Sequence, residues 1–203
     1  MAFKHLSELK QLLVDKPARR LVLAAAQDHN SLSSVLMAAH DGFIEPILVG
    51  DKDAIHNIAA QNNFDLTGVR VVHEPDSEMA IEIAVRMVRS NQADILMKGK
   101  VGTSNLLKGV LNKEWGLRSG ALLSHIAIFE VEAYHKLIAV TDVAMNIAPN
   151  LKDKISIVNN SVACLNKLGI KMPKVAVLGA VEMVSENMQA TLDAALLSKM
   201  NQR

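Results

Sequence analysis

Four times in the first hundred residues, a short apolar run gives way to a longer stretch whose apolar residues recur at helical spacing. Residues 21–26, 47–49, 69–72 and 94–97 have the length and composition of buried strands. The stretches between them have the length of ordinary helices. Parallel strands need a long crossover, which a helix supplies, so the alternation restricts this part of the chain to βαβ units and a mostly parallel sheet. A short amphipathic helix is expected ahead of them at 7–15. Asn30 or Ser31 is placed to cap the helix that ends at Gly42, and Gly50-Asp51 turns into a helix running to Asn62.

The fourth unit carries the strongest chemical signal. Residues 93–111 read A-D-I-L-M-K-G-K-V-G-T-S-N-L-L-K-G-V-L: a strand, a turn with two glycines and two lysines, then a helix from Thr103 or Ser104. The first N–H groups of a helix lack partners inside it and carry partial positive charge, so an anion completes them. Gly99 and Gly102 have no Cβ to keep an anion from the backbone, and Lys98 and Lys100 add full charges. The turn matches neither a Walker loop nor the G-x-G-x-x-G dinucleotide fingerprint. The competing reading is an ordinary strand–helix turn with solvated lysines.

Composition removes several classes of function. Half of the 203 residues are hydrophobic and 21% are charged, which suits a packed core and argues against disorder. A formal charge of +1 and 3% aromatic residues argue against a nucleic-acid partner. The single Cys164 permits no internal disulfide and fits a reducing compartment. No apolar run has the length of a membrane span, and the opening M-A-F-K-H-L-S-E-L lacks the apolar segment of a signal peptide. A soluble, cytoplasmic protein is expected.

The pattern changes after Leu111. A polar, twice Gly-interrupted passage runs to Gly120, and the domain boundary is placed within it, giving domains at 1–117 and 118–203. Residues 122–131 and 136–141 read as a hairpin. A helix at 151–168, with Asn150 and Asp153 as a capping pair and Gly169 as its stop, precedes a strand at 175–178 and a helix at 189–200. Ligands of open α/β sheets sit beyond the carboxyl ends of the strands. The polar residues expected there are Asp28, Asp51, His73, Glu74 and the 98–104 turn, then Asp142, Asn146, Glu182 and Ser185. Ser124 and His125 begin the hairpin. His73-Glu74 lacks companions at metal-ligand spacing, and no metal site is expected.

Five segments in order resemble the phosphate acyltransferases, the butyryl branch more than the acetyl. They are E-P-I-L-V-G-D at 45–51, the 93–104 turn, L-S-H-I-A-I-F-E at 123–130, T-D-V-A-M-N-I-A-P at 141–149 and P-K-V-A-V-L at 173–178. The resemblance implies reversible transfer of an acyl group between coenzyme A and inorganic phosphate. It implies two doubly wound α/β domains of the isocitrate/isopropylmalate dehydrogenase kind, the second incomplete here, with an interdomain cleft, in a homodimer. Acyl-CoA and phosphate are then the partners, and coenzyme A is a substrate with no bound cofactor. Members of the family run on past Arg203 with a Ser-Arg element and an Asp assigned as the base for the thiol. A truncated chain with little activity of its own is therefore expected.

Within that reading, phosphate is assigned to Lys98, Gly99, Gly102, Thr103, Ser104 and Arg118. His125 and Asp142 are the catalytic candidates, and Ser124, Asn146 and Glu182 the substrate or CoA candidates. Arg118 also reads as a hinge or surface residue, Asp142 as a turn cap, His125 as a packed histidine and Cys164 as core. Two other functions stay open: a metal- and nicotinamide-dependent decarboxylating dehydrogenase of related fold, and a non-catalytic ligand-binding or assembly module.

Overall fold

The computed structural model describes residues 3–200. The chain divides into two compact units, Asp15–Gly120 and a second made of Met1–Val14 with Ala121–Arg203.

The first unit is the expected βαβ array. Its strands are β1 (Arg19–Ala24), β2 (Ile44–Gly50), β3 (Arg70–His73) and β4 (Ile95–Lys98). They form one parallel sheet in the order β3-β2-β1-β4. The intervening helices are α2 (His29–His40), α3 (Lys52–Gln61) and α4 (Ser77–Arg89), and α5 (Thr103–Val110) follows β4. Successive side chains of a strand point to opposite faces, and here both faces are covered. Leu21 and Leu23 of β1 pack with Leu32, Val35 and Ile55 on one side. Val22 and Ala24 pack with Ala80, Ala84 and Val85 of α4 on the other. Full burial of a Val or Leu side chain contributes about 1.5–3 kcal/mol, so β1 is the anchor of the unit.

The amino end of β4 is pinned to β1 by one residue pair. Asp94 accepts from the Arg20 N–H at 3.0 Å and from its guanidinium at 2.9 and 3.1 Å, and the Asp94 N–H donates to the Arg20 carbonyl at 2.8 Å. This fixes the register in which Ala24 faces Lys98.

The caps differ from expectation at one helix. Asp28, not Asn30 or Ser31, caps α2, accepting from the Ser31 N–H at 2.9 Å and from its hydroxyl. Its extended backbone turns the carboxylate back onto the N–H three residues further on, as a capping side chain requires.

The second unit holds α1 (Leu6–Gln11), a hairpin of β5 (Ala127–Phe129) and β6 (Ile138–Val140), α6 (Leu151–Lys167) and α7 (Gln189–Met200). Asn150 and Asp153 form the expected reciprocal cap of α6. Lys154 of α6 is ion-paired with the buried Asp193 of α7 at 2.5 Å. The first residues are tied to the hairpin: Glu130 accepts from the His5 ring at 2.7 Å and the Leu6 N–H at 2.8 Å.

Three expectations are corrected in this unit. The first helix spans 6–11 rather than 7–15. The hairpin strands are three residues each, not the runs 122–131 and 136–141. Residues 175–178 are not a strand: no described segment offers them a ladder, and Val175, Val177 and Leu178 are exposed. An apolar run becomes a strand only where a neighbour pairs with its N–H and C=O groups.

Candidate functional site

The order β3-β2-β1-β4 reverses direction between β1 and β4. The chain steps from β1 outward to β3, then returns to place β4 on the other side of β1. In open α/β sheets the crevice beyond the carboxyl ends at such a point is where ligands bind. Two turns meet there, 25–28 after β1 and 98–103 after β4. They are joined directly: the Gly99 N–H donates to the Ala24 carbonyl and the Lys100 N–H to the Ala25 carbonyl, each at 2.8 Å. Ala25 adopts φ +56°, a left-handed conformation uncommon for a residue with a Cβ.

This joint explains Gly99. A Cβ there would stand 2.8 Å from the Ala24 carbonyl oxygen and closer still to that of Ala25. The missing side chain lets β1 and the turn approach each other, and the Gly99 N–H is already used. The Gly102, Thr103 and Ser104 N–H groups, by contrast, have no partner among the described residues. Gly102 is exposed, with only the Ser104 hydroxyl near its free side.

The caps separate this helix from its neighbours. Asp28 caps α2, Asp51 caps α3 and Asp76 caps α4, each accepting from N–H groups of the first turn. Helix α5 starts at Gly102 with no side-chain cap. The other polar groups of this edge are engaged locally. His73 Nδ1 accepts from the Lys52 N–H at 3.1 Å and Glu74 from the Asp76 N–H at 3.0 Å. Lys98 donates to the Val101 carbonyl at 2.9 Å and the Gly99 carbonyl at 3.2 Å, bracing the turn from within. Lys100 and Lys98 also act on Asp28: its bonds from Ser31 lower its carboxyl pKa most, and the two lysines lower it further.

Arg118 is placed elsewhere. It is exposed and lines a hollow of about 450 Å³ with Val88 and Arg89 from the end of α4 and Asn112 from beyond α5; no residue of the 98–104 turn lines it. A cavity of about 1030 Å³ opens at the amino edge of the sheet around Arg20, Ile44 and Arg70 and contains none of the expected site residues.

In the second unit, four of the six expected residues, Ser124, His125, Asp142 and Asn146, are linked by hydrogen bonds made along the 122–125 segment. Asp142 accepts from the His125 N–H at 2.9 Å with one oxygen. Its other oxygen accepts from the Asn146 N–H at 2.9 Å and the Asn146 amide at 2.6 Å. Asn146 also donates to the Leu123 carbonyl, and the Thr141 hydroxyl to that of His125. Asn160 of α6 donates to the Ser124 hydroxyl at 2.9 Å. Burial pushes the Asp142 carboxyl up, but the bonds from His125 and Asn146 outweigh it and leave it below its ordinary value. Glu182 is exposed and outside this network. Sequence reasoning missed Asn160 and Thr141 because a polar residue on an exposed helix face or strand end carries no signal of what it reaches.

These features define an α/β protein whose first unit carries a parallel sheet with an uncapped helix start at its carboxyl edge. Residues 77–203 match the family described as Phosphate acetyl/butaryl transferase. The chain is 43% identical over 200 residues to a phosphate butyryltransferase of Clostridium beijerinckii, covering 98% of this chain and 66% of the relative. It is 34% identical over 185 residues to a phosphate acetyltransferase of Thermotoga maritima, covering 91% and 63%. Among solved structures it is similar to a branched-chain phosphotransacylase from Enterococcus faecalis, with a TM-score of 0.75, 30% identity, and coverage of 91% and 65%. The chain therefore belongs to the phosphate acetyl/butyryl transferase family, and it spans 66% or less of the length of these relatives. These matches lend no support to the dehydrogenase alternative.

Proposed function

We propose that the protein transfers an acyl group between coenzyme A and inorganic phosphate, with phosphate held at the start of α5. One observation carries the phosphate assignment: α2, α3 and α4 are each capped by an aspartate, while α5 opens on Gly102 with three unpartnered N–H groups beside two lysines. An incoming oxyanion takes the place that a capping carboxylate fills in the other three. Family membership supplies the other substrate.

In this reading the Gly102, Thr103 and Ser104 N–H groups and the Thr103 and Ser104 hydroxyls bind the phosphate oxygens. Lys100 offsets the charge, Lys98 holds the turn, and Gly99 sets its approach to β1. Phosphate attacks the thioester carbonyl, the carbonyl–sulfur bond breaks, and the thiolate leaves to be protonated. No enzyme-bound intermediate is needed when both substrates are held together, since proximity supplies much of the rate. Asp142 acts as a positioning group: an ionised carboxylate with its oxygens engaged holds the His125 segment and Asn146 in place. The His125 ring is the proton-transfer candidate, and Ser124, Asn146 and Glu182 are the candidates for the CoA side. Arg118 contributes to phosphate only if its segment comes to the turn. The proposal includes the two domains at 1–117 and 118–203, the isocitrate/isopropylmalate dehydrogenase-like organisation, a homodimer and a cytoplasmic setting. No helix of the described residues is long and apolar enough to cross a membrane.

Thiol release from butyryl-CoA tests the reading. In a chain extended to the full length of its relatives, the expected result is release that saturates with phosphate and yields an acyl phosphate trappable by hydroxylamine. Thioester loss at the same rate without phosphate would contradict it.

A further inference from the structure

Gln27 follows β1 and leans across Gly50, the last residue of β2. A Cβ at Gly50 would stand 2.9 Å from the Ala26 nitrogen and closer still to Gln27 Oε1. That oxygen is shut off from solvent and accepts no hydrogen bond, and no other buried side-chain nitrogen or oxygen among the described residues lacks a partner. The residue as a whole is only partly buried. An amide acceptor folded inward without a donor is destabilising, and folded proteins keep few such groups. The neighbouring polar groups of the same edge, at Asp28, Asp51, His73 and Glu74, all have partners.

We propose that Gln27 is a substrate-binding residue that turns its amide into the carboxyl-edge crevice and accepts a hydrogen bond from an N–H or O–H of the acyl-CoA arm. The inference rests on the acyl-transfer reading and adds a contact to it. A lone acceptor calls for a donor. Phosphate is mostly acceptors at neutral pH, and the Asp28 carboxylate next in the chain repels it. The amide-bearing arm of coenzyme A is neutral and brings N–H groups. Strand order agrees: Gln27 leans toward β2, while the 98–104 turn stands on the other side of β1, at the end of β4. The amide part of the arm then lies on one side of the β1 carboxyl end, and the thioester reaches across it to the phosphate on the other. A partner-free group retained at a ligand edge trades stability for binding.

The test is Gln27→Met, close in shape and without the amide, with coenzyme A and phosphate titrated separately by calorimetry and thermal melting run alongside. The expected result is coenzyme A affinity lower by about fivefold or more, the size of one lost hydrogen bond. Phosphate affinity should be unchanged and the melting temperature equal or higher. Gln27→Asn, which keeps the amide but shortens its reach, should also weaken coenzyme A. Unchanged coenzyme A affinity in Gln27→Met overturns the assignment. A lower melting temperature with unweakened coenzyme A binding in either variant also overturns it, making Gln27 a packing residue. A wild-type chain that binds phosphate but no coenzyme A overturns the acyl-transfer reading itself, and this inference with it.

Discussion

Asp94 shows how a single side chain sets the height of the candidate site. Its bonds to Arg20 fix β4 against β1, and Ala24 therefore stands opposite Lys98 at the far end of the pair. The hydrogen bond and charge of the Arg20 guanidinium hold the Asp94 carboxyl down at about 2. The unfolded carboxyl titrates near about 3.9, so the folded state binds its proton less readily. The pair's contribution is fully present above that unfolded value and is lost as pH falls toward 2. Both partners are well exposed and salt screens them, so the effect is modest at neutral pH and shows in the acid limb. Asp94→Asn should flatten the fall in melting temperature between pH 5 and 2 relative to wild type, scored by circular dichroism. Parallel acid limbs would show that other carboxylates govern it.

At the scale of elements, the placement of α5 depends on close packing against α4. Gly109 is buried, and a Cβ there would meet Ile81 Cγ2 at 2.5 Å and the Trp115 ring at 3.4 Å. Helix propensity alone favours Ala over Gly by about 1 kcal/mol. Overpacking a filled interface costs about 1–3 kcal/mol, so the packing term decides. Gly109→Ala should lower unfolding free energy in urea by up to about 2 kcal/mol despite its better propensity. A stabilised variant would mean that α5 moves freely against α4. Elements were legible where the sequence acts locally. The alternation of apolar periods gave all four strands of the parallel sheet, and Asn150 with Asp153 announced the start of α6. Residues 175–178 misled because their apolar content resembles that of β2, yet a ladder needs a partner distant in sequence. The cap of α2 was misassigned by two or three residues, since Asp28, Asn30 and Ser31 are all good caps and only backbone geometry chooses.

For the whole molecule, the parallel sheet of the first unit is what makes a site. It gathers the ends of β1 and β4 at the point where strand order reverses, with α2 and α5 on opposite faces. The 98–104 turn was legible from its glycines, lysines and hydroxyls. How its groups divide was not: Gly99 serves the joint with β1, Lys98 braces carbonyls, and only the Gly102–Ser104 end keeps its donors. The joint is made with Ala24 and Ala25, far earlier in the chain and beyond the reach of local pattern. The second unit was less legible, because its network around Asp142 joins four separate segments, 123–125, 141–142, 146 and 160.

The central claim is that the start of α5 is an anion site. It is tested most directly by titrating inorganic phosphate into the isotopically labelled protein and following backbone amide resonances. The account predicts saturable shifts largest at Gly102, Thr103 and Ser104, with the first turns of α2, α3 and α4 unmoved because Asp28, Asp51 and Asp76 already occupy them. Shifts that are linear in phosphate, or that centre on another helix, would contradict it.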